Sequence, residues 1–302
     1  PIDLGPDQAP AHEAISVVIP NWNGRELLAA NLPSVIAGLA FHPENEVIVV
    51  ENGSADGSAE FLEENFPAVK VVRLETNRGF GGGSNEGFRA ARHDVVLLLN
   101  NDMRVEAESV KPLLEAFADA RVFAVTAQLY FCDPRKRREE TGLVHGMWVR
   151  GSLHLTHRDD QRVREAFPTF YAGGGSSAYD RRKFLALGGF DPLWEPFYLE
   201  DTDISYNAWK RGWMVLYQPR SIVYHDHRGT IGKHFSTAFI RRTLEKNHLL
   251  FAWKNLHDWR LLGSHFAWLY AGLWIRLLGG EETARANSGA LWRAFRQLRR
   301  AL

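Results

Sequence analysis

Over the first 127 residues, short apolar runs alternate with segments whose apolar positions recur every three to four residues. Ile15 to Ile19 predicts a strand that stops at Pro20. Leu27, Leu28, Leu32, Val35, Ile36 and Leu39 form one stripe and predict a helix from Glu26 to Leu39. Val47 to Val50, Val69 to Leu74, Val95 to Leu99 and Val122 to Thr126 predict four more strands. Between them come a helix from an N-cap at Ser58 through Phe66, one from Ser84 to Arg92, and one from Glu106 to Phe117. A glycine-rich loop, Gly79 to Gly83, precedes the second of these. Strands alternating with helices at this spacing predict an α/β fold with a largely parallel, doubly wound sheet.

The pattern loosens afterwards. The basic run Arg135 to Arg138 reads as a loop, and Arg150 to Arg164, with His154 and His157, reads as a solvated excursion rather than an acceptor-binding loop. Short helices are expected from Asp180 to Leu187, closed by Gly188 and Gly189, and from Asp201 to Arg211, closed by Gly212. Trp213 to Tyr217 and Ile222 to Tyr224 are expected strands, and Thr243 to Leu278 is helical and rich in Leu and Trp.

Thirty-six basic residues balance thirty-six acidic ones among 302, which argues against a general nucleic-acid binder. One cysteine, Cys132, excludes an internal disulfide framework and a multi-cysteine zinc site. Pro1 to Ala14 is polar, reads as a flexible N-terminus and has no signal-peptide h-region. The first strand's turn, Pro20 to Gly24, has one glycine where a dinucleotide fold needs G-x-G-x-x-G, and Gly232-Lys233 is followed by His234, not by the Ser or Thr of a P-loop.

Candidate chemistry sits where strands end. The buried-strand pattern Val95 to Leu99 runs into Asn100-Asn101-Asp102, which is either an ordinary turn or a carboxylate held at the carboxyl edge of the sheet for a metal and a phosphate-bearing ligand. Pro20-Asn21-Trp22-Asn23 and the loop with Glu51, Asn52 and Asp56 should converge on the same edge. Their amide, carboxylate and aromatic groups suit a base, a ribose and a diphosphate. The glycine run through Asn85 is placed on the opposite side of its strand. In Glu200-Asp201-Thr202-Asp203, Asp201 or Asp203 serves as a helix cap, or the crowded carboxylates raise one another's pKa and supply a general base. His225 and His227 flank Asp226 after a short strand and form a second metal-ligand candidate.

The ordered strings Ser16-Val17-Val18-Ile19-Pro20-Asn21-Trp22-Asn23, Glu51-Asn52-Gly53-Ser54-Ala55-Asp56-Gly57-Ser58, Asn77-Arg78-Gly79-Phe80, Asn100-Asn101-Asp102, Gly188-Gly189-Phe190-Asp191, Glu200-Asp201-Thr202-Asp203 and His225 resemble the family 2 glycosyltransferases of GT-A fold, most of all their rhamnosyltransferase-like branch. The resemblance implies a Rossmann-like, mostly parallel sheet flanked by helices, with a helical C-terminal extension. It implies an inverting, metal-dependent transfer of a sugar from a nucleotide-diphosphate donor, of dTDP-rhamnose or UDP-sugar type, to a glycan or lipid-linked acceptor. Pro20, Asn21, Trp22, Glu51, Asn52, Asn77 and Gly79 would lie against the nucleotide. Asp102, with His225 or in its place His227, would hold Mg²⁺ or Mn²⁺, and Asp201, its pKa raised by Glu200 and Asp203, would deprotonate the acceptor. Two departures stand out: Asn100 occupies the first Asp position of D-x-D, and Glu51 replaces the usual Asp. The other class left open is a GT-A-like module that binds nucleotide or sugar without turnover.

The resulting division is 1–14, a nucleotide-sugar half at 15–127, an acceptor and catalytic half at 128–240, and a helical extension at 241–302. The extension's Trp253, Trp259, Trp268, Trp274 and Trp292, with its arginines, suit a peripheral membrane contact; a helix packed on the catalytic domain or a homodimer face is the alternative. Arg260, His265 and Arg276 bound the apolar stretch too tightly for a membrane span. The expected location is cytoplasmic, at the inner face of the cell membrane.

Overall fold

The computed structural model describes residues 12–132, 135, 142–158, 160–225, 235–278 and 289–298. His227, most of the basic run after Arg135 and nearly all of the N-terminal segment lie outside them.

The five apolar runs of the first half all become strands of one sheet. β1 (Ser16–Asn21), β2 (Glu46–Asn52), β3 (Lys70–Leu74) and β4 (Val95–Leu99) are mutually parallel, in the order β3-β2-β1-β4. β6 (Val122–Phe131) and β11 (Met214–His225) continue it, separated from β4 by the antiparallel β10 (Ser176–Asp180). The three-residue β5 (Met103–Val105) closes the far edge against β11, and the two-residue β9 (Phe167–Pro168) also pairs with β11. The expected pair of strands at 213–217 and 222–224 is thus one strand, with a register shift between Gln218 and Ile222.

Strand side chains alternate between the two faces. Val17, Ile19, Val47, Val49, Val95, Leu97 and Leu99 enter one core with Leu28, Leu32 and Val35 of α1 (Arg25–Gly38), Leu62 of α2 (Ser58–Asn65) and Leu113 of α4 (Val110–Glu115). Val18, Ile48, Val50, Val96 and Leu98 enter the other with Phe88 of α3 (Gly79–Ala90), Phe184 of α5 (Arg181–Ala186) and Ile204 of α6 (Glu200–Lys210). Ile36, placed on the apolar stripe of α1 by its spacing, is 40% exposed, because that stripe is wider than the face the sheet covers.

Three local expectations are corrected. Gly57, in the left-handed region at φ 74°, precedes α2, and Ser58 is its first residue, with its hydroxyl turned inward. Helix α3 begins at Gly79, so the glycine run is helical. It follows β3 and therefore sits on the same edge as the other loops, not opposite them. The glycines let α3 lie close on the sheet: a Cβ at Gly87 would meet Val18 Cγ1 and lie 3.1 Å from Val50 Cγ2. Gly87→Ala should cost about 1–3 kcal/mol of unfolding free energy by overpacking, despite alanine's better helix propensity, as measured by urea denaturation.

The stretch read as a solvated excursion is a β-hairpin, β7 (Val144–Val149) with β8 (Ser152–His157). Its turn uses Arg150 at φ 48° and Gly151 at φ 74°. The helical tail breaks at 256–258 into α7 (Thr237–Asn255) and α8 (Trp259–Leu278). His265 fixes α8 to both neighbours: one ring nitrogen lies 2.7 Å from the Gly151 carbonyl, and the other accepts from Trp253 Nε1 at 3.1 Å. The other side of α8 exposes Trp259, Tyr270 and Trp274, and Trp268, 45% exposed, lies beside Arg150 of the hairpin turn. No helix among the described residues is long and apolar enough to cross a membrane.

Candidate functional site

The parallel strands all end at one edge, and there a cleft of about 950 Å³ opens. Pro20, Asn21, Trp22, Asn52, Asn77, Gly79, Asn100, Asn101, Asp102, Glu200, Asp201 and His225 all line it. The sheet therefore brings together twelve of the candidate residues read from the sequence.

Asp102 and His225 are 123 positions apart, yet His225 Nε2 lies 3.3 Å from Asp102 Oδ2. The β5–β11 register causes this, since His225 pairs with Met103, the residue after Asp102. Asp102 is only 8% exposed, and its Oδ1 is buried without a hydrogen-bond partner. A desolvated carboxylate oxygen left unpaired is costly unless a cation or donor meets it. These donors fit a hard divalent metal, which favours carboxylate and imidazole with further oxygens. Among the described residues no third His, Cys, Asp or Glu joins them into a larger metal-holding group.

The second acidic pair is at the start of α6. Asp201 Oδ2 accepts from Gly174 N at 3.0 Å, and its Oδ1 accepts from Thr202 N at 2.6 Å and Thr202 Oγ1 at 3.2 Å. Glu200 Oε2 is buried with no partner. Burial pushes the carboxyls of both up, and the Asp201 charge adds to the effect on Glu200, which reaches about 8. Asp201, with three donors stabilising its anion, is the member that carries the charge near neutrality; Glu200 keeps the proton. No cap is involved, because Leu199 precedes α6 at φ 75° without a side-chain cap. Asp203 does not tune Asp201. It is 4% exposed and turned away, bonded to Lys254 Nζ at 2.7 Å, Asn255 Nδ2 at 2.7 Å and Trp194 Nε1 at 3.1 Å.

A segment not singled out in the sequence links the two acidic groups. Gly175 O accepts from Asn100 N at 3.0 Å, while Gly174 N donates to Asp201. A Cβ on Gly174 would come 2.9 Å from the Phe80 ring, so only glycine allows this approach. The run Gly173-Gly174-Gly175 before a short polar strand was the available signal. Phe80, Tyr171, Phe197, Tyr198 and the hairpin's His157 also line the cleft.

Four candidates lie off the cleft and spend their polar atoms on protein. Glu51, 3% exposed, accepts from Asn21 Nδ2 at 2.6 Å, and its Oε2 lies 3.0 Å from Ser58 Oγ. Asn21 Oδ1 in turn accepts from Asn101 Nδ2 at 2.7 Å. Asp56 accepts from Arg25 N, and Asn23 from Ala55 N. Asn85 exchanges two hydrogen bonds with the Phe190 backbone, at 2.9 and 2.8 Å. Asn52 holds the loop that follows β3, accepting from Arg78 N and donating to Gly79 O.

The model of glycosyl transferase family 2 matches residues 16–188. A poly-β-1,6-N-acetyl-D-glucosamine synthase of Staphylococcus epidermidis is 30% identical over 73% of this chain and 52% of its own length. A putative polypeptide N-acetylgalactosaminyltransferase of Drosophila melanogaster is 25% identical over 72% of this chain and 40% of its own. The chain thus spans about half or less of these two curated relatives. An N-acetylglucosaminyl-diphospho-decaprenol L-rhamnosyltransferase of Mycobacterium tuberculosis is 24% identical over 67% of this chain and 74% of its own. Among solved structures, GalNAc-T7 with UDP, GalNAc and Mn²⁺ superposes with a TM-score of 0.64 at 23% identity, covering 81% of this chain and 48% of that one. S. aureus TarS with UDP-GlcNAc gives 0.63 at 16% identity, covering 94% and 81%. These likenesses establish the GT-A fold.

Proposed function

The chain belongs to glycosyl transferase family 2, and from that premise we propose that it is an inverting, metal-dependent glycosyltransferase. One observation carries the reading: a single cleft at the carboxyl edge of the sheet holds both an unpaired buried carboxylate oxygen beside an imidazole, at Asp102 and His225, and a carboxylate of raised pKa, at Asp201. A nucleotide-diphosphate sugar would lie along Pro20, Asn21, Trp22, Asn52, Asn77 and Gly79, with its diphosphate toward Asp102. The donor is of UDP-sugar or dTDP-rhamnose type, and the acceptor is a glycan or lipid-linked hydroxyl compound.

Asp102 and His225 would hold Mg²⁺ or Mn²⁺, which when bound would neutralise charge on the departing diphosphate. Asn100 supplies no negative charge where the family's motif has an Asp, so the donor's own oxygens must complete the shell. Asp201 takes the proton from the acceptor hydroxyl as its oxygen attacks the anomeric carbon, and the nucleoside diphosphate leaves from the opposite side. Gly174 N and Thr202 keep the Asp201 carboxylate oriented for that proton. The hairpin's His157 faces Tyr171 at a ring distance of 6.3 Å, and both line the cleft, where they would meet the acceptor. The exposed Trp and Tyr face of α8, with the Arg260 guanidinium 5.2 Å over the Trp259 ring, suits contact with a membrane interface.

The test is a calorimetric titration of UDP and dTDP sugars with and without Mn²⁺. Binding of at least one sugar nucleotide should tighten about tenfold or more with metal, and Asp102→Ala should remove that gain, since losing even a group that only supports a metal ligand costs about 10–100-fold in metal affinity. Equal titrations with and without metal would exclude the assignment of Asp102. A binding-only module would show the same metal-dependent titration but release no nucleoside diphosphate with any acceptor.

A further inference from the structure

A second, smaller cavity of about 380 Å³ backs onto the cleft. Glu195 and Pro196 line both, so one short segment is the wall between them. Phe239 lines the small cavity and Phe197 the cleft, with their rings 6.3 Å apart across that wall. The remaining walls come from α7 and from the helical segment 289–298. Thr243 and Lys246 share one face of α7 at a spacing of three, and Arg293 and Arg296 share one face of the other helix at the same spacing.

The charge is one-sided. Three cations face one carboxylate-bearing residue, Glu195, whose carbonyl is already engaged by Lys246. Lys246 is 5% exposed, as buried as a core residue. Its ammonium donates to two neutral oxygens, Glu195 O at 3.2 Å and Gln297 Oε1 at 3.3 Å, which uses two of its three N–H groups. Burial, with the Arg293 charge beside it, pushes its pKa down to about 8, and Glu195 offsets this only in part. Lys254, eight residues on, shows the contrast: it is also recessed, but it meets two carboxylates, each at 2.7 Å. A buried lysine is normally paired, and Lys246 pairs with no anion among the contacts described.

We propose that this cavity binds the phosphate or diphosphate group of the acceptor. A compact ammonium beside two guanidinium forks and a hydroxyl is a donor set for tetrahedral phosphate oxygens, and the volume accommodates one such group or two in series. The donor's own diphosphate is read at Asp102 on the sheet edge. Glu195 lines both cavities and stands six residues before Asp201, and this closeness along the chain to the proposed base is what assigns the anion to the acceptor. The word acceptor rests on the transferase reading; the anion site does not.

The test uses the full chain and no turnover. Inorganic pyrophosphate is titrated calorimetrically in metal-free buffer into the wild type, Arg293→Gln/Arg296→Gln and Lys246→Met. Flotation with phosphatidylcholine vesicles, with and without one-tenth phosphatidic acid, forms the second arm. Both arginines are exposed, so the double variant should keep its melting temperature even if Lys246→Met does not. Pyrophosphate affinity should fall about tenfold or more in the double variant, as expected for losing charge-assisted hydrogen bonds, with Mn²⁺-dependent sugar-nucleotide binding unchanged. If phosphatidic-acid flotation falls in parallel, the phosphate is lipid-borne; if only the pyrophosphate titration changes, it comes from a soluble acceptor. Unchanged pyrophosphate affinity overturns the site, and so does loss of flotation alone, which would mark a basic surface. If no sugar nucleotide binds while the arginine-dependent pyrophosphate titration persists, the transferase reading fails and the anion site stands.

Discussion

Asp201→Asn should lower kcat by about 10²-fold or more while the donor dissociation constant stays within about twofold. The substitution keeps the size of the side chain and one accepting oxygen, enough for Gly174 N or Thr202 N but not both, and it removes the ability to take a proton. The pH dependence gives a separate readout. Burial raises the Asp201 pKa, so the acidic limb of kcat/KM should lie above the range of an ordinary carboxylate. Activity rises with pH through that limb because the base works only when deprotonated. Glu200, at about 8, keeps its proton while Asp201 ionises and loses it only afterwards. Glu200→Gln mimics the protonated acid. It should leave the acidic limb in place, keep most of the rate near neutrality, and abolish the second inflection near that higher value. An Asp201→Asn enzyme retaining more than about a tenth of the wild-type rate would rule Asp201 out as the base.

The sheet was legible in the sequence where burial is complete. Val95 to Leu99 matches β4 because all five side chains are buried, and a fully apolar run of that length has few other fates. The ends of such strands were legible too, which is why Asn21, Asn52, Asn100 and Asp102 meet at the cleft. What stayed hidden depends on tertiary pairing. β5 has three residues and exists only because β11 runs beside it. The β7–β8 hairpin carries His145, His154 and Thr156 among its apolar positions, so its alternation resembles a polar loop. Polar residues misled for the same reason. Asn85 carries the chemistry of a ligand contact, yet its partner is the backbone of Phe190, 105 positions away. The glycines of α3 carry the signature of a phosphate loop, yet Gly87 is where a helix touches Val18.

The largest stability effect should come from Lys254. Sequence spacing gave no hint that it meets Asp203, 51 positions earlier, and Asp191, both at 2.7 Å, beneath the ring of Trp194 at 5.4 Å. Burial alone would lower the Lys254 pKa; the charges of Asp203 and Asp191 more than offset it, and the net effect is a raised value. Lys254→Met keeps the apolar stem but leaves Asp203, whose side chain is 5% exposed, as a buried charge without its cation. Breaking a buried pair in this way costs about 3–5 kcal/mol, and urea denaturation should show a loss of that size. Adding Asp203→Asn removes the stranded charge, so the double variant should regain a substantial part of the loss. A single variant within about 1 kcal/mol of wild type would mean that Asn255 Nδ2 and Trp194 Nε1 suffice to hold the Asp203 carboxylate. The network also joins the first turn of α6 to α7 and to the turn at Pro192–Trp194, two residues from Asp201 along the helix. Lys254→Met should therefore reduce kcat even well below its melting temperature, with the donor dissociation constant unchanged, because the placement of the base depends on this anchor while the nucleotide face of the cleft does not.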